Sequence, residues 1–64
     1  MKKDYEQYTC VINGKSVKTI DCEKFTDEKQ IDESRKPCVD WWKDNYTVEN
    51  GAFWYLTSKF SKEV

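Results

Sequence analysis

The sequence predicts an α+β domain: a small antiparallel sheet of three or four strands, made of an N-terminal hairpin and a C-terminal aromatic strand, with one helical region packed on a face. Asn13-Gly14 stands between two runs of β-branched residues, residues 26–45 carry helix signals, and Ala52-Phe53-Trp54-Tyr55-Leu56-Thr57 has the composition of a strand. The element order is β-β-α-β, or β-β-α-β-β if Tyr46-Thr47-Val48 pairs with the last strand across Glu49-Asn50-Gly51.

The hairpin is the clearest local signal. Asn-Gly tolerates positive φ at both central positions of a type I′ turn, and it separates Tyr8-Thr9-Cys10-Val11-Ile12 from Lys15-Ser16-Val17-Lys18-Thr19-Ile20. A regular two-residue loop sets Ile12 opposite Lys15, Cys10 opposite Val17 and Tyr8 opposite Thr19. Tyr8, Cys10, Ile12 and Val17 then share the core face, and Thr9, Ser16 and Lys18 look outward with Val11. In that register Cys22 lies opposite Tyr5, five positions from Cys10, which excludes a bridge between them.

Phe25-Thr26-Asp27-Glu28 has the character of a helix start, with Thr26 as cap, two acids at the positive end of the dipole, and Arg35-Lys36 where a last turn favours cations. Ile31 is the single apolar residue between positions 26 and 36. Such a helix is held by few contacts. Pro37 disfavours α conformation at Lys36 and suits the first position of a second helix. From there Cys38, Val39, Trp42 and Tyr46 fall on one side, and Asp40, Lys43 and Asp44 on the other. One kinked helix and two helices over residues 27–45 are both consistent with this pattern, with Trp42 the better core candidate and Trp41 the more exposed.

In the last strand both faces are apolar. Phe53 and Tyr55 point one way, Trp54 and Leu56 the other, so either the strand is covered on both sides or an aromatic row is exposed. Residues 1–6 and 61–64 are expected to fray.

The 64 residues form one domain, near the size where a single core only just outweighs chain entropy. Mean hydropathy of -0.97 describes a very polar shell, yet 16% aromatic residues exclude the composition of a disordered chain. The net charge of -1 leaves no basic footprint for nucleic acid. Residues 25–50 carry four basic and seven acidic side chains, a modest acidic face whose plainer meaning is a solvated helix. Met1-Lys2-Lys3 is followed by Asp4-Tyr5-Glu6-Gln7 rather than an apolar core, so no signal peptide is expected. No run suits a membrane span. A cytoplasmic protein with no membrane partner is the expectation.

Cys10, Cys22 and Cys38 are odd in number and widely spaced, and histidine is absent. Three isolated cysteines do not complete a tetrahedral zinc site within one chain. They are expected to be reduced fillers of the core, with an interchain disulfide or a shared zinc as the alternative. No metal or cofactor is called for.

Catalytic chemistry finds little support. Without histidine there is no Ser-His or Cys-His pair. Asp40 with Asp44, and Asp32 with Glu33, sit in a polar stretch that gives no reason for a shifted pKa. Asn13-Gly14-Lys15-Ser16 lacks the upstream glycine and following helix of a phosphate loop. The chain is therefore expected not to be an enzyme.

The surplus of aromatic side chains points instead to a contact surface. Seven of the ten aromatics lie between Trp41 and Phe60, and exposed Trp and Tyr are favoured interface anchors. The expected function is a small protein-binding module of the kind a phage accessory protein that binds and inhibits a host factor would be. Its candidate partner-binding residues are Trp41 with Asp40 and Asp44, then Trp54 with Tyr55, the chain being a monomer or a homodimer. The plainer explanation is that these aromatics are core. The alternative function is a single-stranded nucleic-acid binder stacking bases on sheet aromatics, which the net charge disfavours.

Overall fold

The computed structural model describes every residue from Met1 to Val64, as a three-stranded antiparallel sheet and one helix. The elements are β1 (Lys2–Ile12), β2 (Lys15–Glu23), α1 (Glu28–Asn45) and β3 (Phe53–Glu63), and the sheet order is β2-β1-β3. Both outer strands run antiparallel to β1 and hence parallel to each other, with α1 as the crossover between them. Tyr46-Thr47-Val48 is not a strand; this segment enters a turn closed by Gly51 N–H donating to the Thr47 carbonyl at 3.1 Å.

Asn13 and Gly14 take φ of 53° and 74°, and Ile12 pairs with Lys15. Past that point the expected register is displaced. A bulge makes Val11 pair with Ser16 and Cys10 with Lys18, so Val17 has no partner and is 52% exposed. One extra residue on one strand reverses the facing of everything beyond it. Ile20 thus replaces Thr19 opposite Tyr8, and Cys22, now opposite Glu6, turns onto the helix side.

β3 carries a second bulge. Gln7 pairs with Ser58 and Tyr8 with Leu56, leaving Thr57 as the extra residue. Beyond it the pairing continues through Tyr5↔Phe60 to Lys2↔Glu63, further than the expected fraying of residues 1–6 and 61–64. The reasons lie in the side chains: Tyr5 stacks on Phe60 with centroids 5.5 Å apart, Ser61 donates to Asp4 at 2.5 Å, and Lys3 meets Glu23 at 3.3 Å.

The helical region is one helix running through Pro37. Its cap is Asp27 rather than Thr26, with Oδ2 accepting from Gln30 N–H at 3.2 Å. Because the helix does not stop before Pro37, Arg35 and Lys36 sit mid-helix and Lys43 is the cation of the last turn. A proline in this position lacks one helix hydrogen bond, which the docking of the residues beyond it offsets. Cys38 is fully enclosed, and the Trp42 indole N–H donates to the Ala52 carbonyl at 2.8 Å.

The core is small, with seven residues buried. Tyr8, Cys22 and Cys38 form its centre, with Ile20 and Trp54 packed around them. Tyr8 meets Trp54 edge-on at 5.2 Å, and Arg35 lies over the Tyr8 ring at 5.9 Å while reaching Glu6 at 3.7 Å. The molecule is a plate of 43 × 22 × 14 Å with a radius of gyration of 12.8 Å, against about 10.7 Å for a compact chain of this length. Its two eleven-residue strands set the long dimension.

Burial makes the centre sensitive to alkali. It raises the Cys10, Cys22 and Cys38 thiols above their ordinary 9.0, Cys38 to about 12, and raises the Tyr8 phenol above 10.0. Between the unfolded and folded values the folded state holds more protons, so stability falls as pH rises. Urea midpoints in the presence of reductant should begin to drop above about pH 8.5 and go on falling towards about pH 12. A midpoint at about pH 11 equal to that at neutrality would contradict this.

Candidate functional site

The helix covers one face of the sheet and leaves the other open. Alternation along β1 sends Tyr8 and Cys10 to the helix and Tyr5, Gln7, Thr9 and Val11 to the open face. On β3, Phe53 lies opposite Val11 and Tyr55 opposite Thr9, so both join the open face. The Thr57 bulge then brings Phe60 onto the same face opposite Tyr5; without it, Phe60 would turn to the helix side.

Two aromatic pairs result. Near the hairpin end, Phe53 and Tyr55 are 5.9 Å apart, 49% and 45% exposed, beside a floor of buried Thr9 and Val11. Near the chain termini, Tyr5 and Phe60 stack, with the Lys62 ammonium 4.7 Å from the Tyr5 ring centroid. Between the pairs, the Thr9 and Thr57 hydroxyls share a hydrogen bond, and the Gln7 amide donates to Asp21 at 3.3 Å. The surface is therefore apolar at one end, polar in the middle and mixed in charge at the other.

The sequence-derived candidates are divided by this geometry. Tyr55 is on the open face. Trp54, its neighbour, points the other way and packs on Tyr8. Asp40 and Asp44 lie on the exposed stripe of α1, and Trp41 beside them is half-buried like Trp42. Trp41, Asp40 and Asp44 are thus on the far side of the sheet from Tyr55. Phe53 belongs with Tyr55 and was not singled out, although the i, i+2 alternation already set the two together. The pairing of Tyr5 with Phe60 had no local signal, because it depends on the bulge.

On the helix side, an open cleft of about 360 Å³ runs between the end of β2 and the first half of α1, lined by Asp21, Cys22, Glu23, Phe25, Gln30, Glu33, Ser34 and Pro37. No group of three Cys, Asp or Glu side chains is placed to hold a metal ion, and no helix is long and apolar enough to cross a membrane. Compared with models of protein families, with curated proteins and with solved structures, the chain matches none.

Proposed function

We propose that this protein is a non-enzymatic protein-binding module whose contact surface is the open sheet face, with Phe53 and Tyr55 as anchors. The supporting observation is that these two rings stay about half exposed side by side in a chain whose core encloses only seven residues. Three strands about 4.8 Å apart and eleven residues at about 3.3 Å give a face on the order of 500 Å². A stable interface takes about 800 Å² from each partner, so the contact extends over the free edge of β3, an outer strand of the sheet. The partner offers an apolar patch to the rings and an extended segment to that edge. Inhibition of a host factor by simple occlusion is the mode of action such a module suits. The three unpaired thiols accord with a cytoplasmic setting.

A second reading, single-strand nucleic-acid binding, draws on the Lys62 ammonium beside the Tyr5–Phe60 stack. Asp21 and Glu23 share that face and oppose it. Affinity capture from a cell lysate with wild type, Phe53→Ser/Tyr55→Ser and Trp41→Ala separates the readings. One specific protein held by wild type and Trp41→Ala, and lost with the double variant, is expected. Capture that survives the double substitution, or that nuclease treatment abolishes, overturns the proposal. Sedimentation of the isolated chain distinguishes a second copy as the occupant.

A further inference from the structure

Three core thiols come from three different elements: Cys10 from β1, Cys22 from β2 and Cys38 from α1. They are not equivalent. The Sγ atoms of Cys22 and Cys38 are 3.9 Å apart. All three are buried, but Cys22 lines the open cleft and keeps 3% exposure, whereas Cys10 and Cys38 are fully enclosed. One thiol can therefore meet a small molecule from outside, and its nearest neighbour is a second thiol.

We propose that Cys22 and Cys38 are a peroxide-oxidised pair, Cys22 receiving the oxidant through the cleft and Cys38 closing an intramolecular disulfide that staples α1 to β2. Cys22 as thiolate attacks one oxygen of hydrogen peroxide; the O–O bond breaks, an S–O bond forms, and the leaving hydroxide with the thiol proton becomes water. The Cys38 sulfur then attacks the Cys22 sulfenic acid; the S–S bond forms as S–O breaks, and the departing hydroxyl takes the Cys38 proton as a second water. Two thiols give up two electrons, and one peroxide becomes two waters.

The surroundings favour this oxidant and this closure. Cys22 is 3% exposed at the wall of the cleft, so a small neutral peroxide reaches its sulfur where the bulky disulfide of glutathione does not, and Glu33 on the same wall disfavours that anion. Bond formation needs the sulfurs to approach by about 2 Å. Pro37, next to Cys38 and on the cleft wall, has already removed one hydrogen bond from the helix turn that must give. Burial raises both thiols, with Arg35 partly lowering Cys22. Thiolate is scarce at neutral pH, so the reaction is slow and should quicken about tenfold per pH unit towards pH 9.

The test is treatment of the full chain with hydrogen peroxide, followed by mass spectrometry of intact protein and of its peptides without reductant. Wild type and Cys10→Ala should each lose two hydrogens, with the Cys22 and Cys38 peptides joined. Cys38→Ala should instead hold a sulfenic acid on Cys22 that dimedone traps. Oxidised wild type should melt about 10 °C higher than reduced, since a loop of this length is closed. Glutathione disulfide at equal concentration should react at least about tenfold more slowly. A bridge containing Cys10, a product joined only between chains, a lower melting point, faster reaction with glutathione disulfide, or three free thiols after prolonged peroxide treatment at about pH 9 would each overturn the proposal.

Discussion

Tyr8→Ala should cost about 3–5 kcal/mol and leave much of the chain unfolded, whereas Tyr8→Phe should cost less than about 1 kcal/mol. Tyr8 sits in the middle strand and is 4% exposed, with Ile20 across the ladder, Trp54 edge-on, and Cys22 and Cys38 packed against it. Removing its ring opens a void under the helix at the centre of the core. A domain of this size holds only about 3–10 kcal/mol of stability, so the loss is comparable to the whole. The hydroxyl matters far less. It donates to Glu6 over a long 3.3 Å, and Glu6 keeps Arg35 as a partner when it is gone. Urea unfolding of both variants checks the contrast; a loss of under about 2 kcal/mol for Tyr8→Ala would place the core elsewhere.

Asn50→Ala should cost about 2–4 kcal/mol, far more than a turn residue usually does. Its Oδ1 accepts from the N–H groups of Thr47 and Ala52, both at 2.9 Å, and its Nδ2 donates to the Asn45 carbonyl at 2.7 Å. Each such bond contributes about 0.5–1.5 kcal/mol, and an orphaned buried group costs more. Its main chain adds two bonds the substitution leaves in place: N–H to the Thr47 hydroxyl at 3.0 Å, and the carbonyl accepting from Asn13 N–H at 3.0 Å. One amide thus ties the end of α1 to the start of β3, next to the Trp42–Ala52 bond. Asn50→Asp keeps both acceptors but turns an oxygen towards the Asn45 carbonyl, so it should recover only part of the loss. Amide exchange at Thr47 and Ala52 should quicken in both variants. A change within about 0.5 kcal/mol for Asn50→Ala would contradict the assignment.

How far the candidate surface was legible can be followed residue by residue. Phe53 and Tyr55 share a face by alternation alone, and that held. Which face stays open did not follow from sequence, because Trp54 and Leu56 are equally apolar; the choice was made by Tyr8, whose edge-on contact draws Trp54 to the helix side. Trp41, the first anchor expected from the acidic helix, is half-buried, and its carboxylate neighbours face solvent across the sheet from Tyr55. The thiol pair was hidden for a similar reason. A regular hairpin turns Cys22 away from the helix, and only the Val17 bulge reverses it.

Sequence by itself settled the kinds of elements and their order: positive φ at Asn13-Gly14 makes a hairpin, acids and one-sided apolar spacing make a helix, and a β-rich aromatic run makes a strand. These are local properties, set by backbone sterics and the facing of neighbouring side chains. Tertiary structure alone decided the two bulges, the continuity of α1 through Pro37 and the length of the β1–β3 ladder. A bulge changes facing by one residue at little local cost, so its position is selected by which side chains the whole core must enclose. That requirement, spread over all three strands and the helix, is written in no single stretch of the chain.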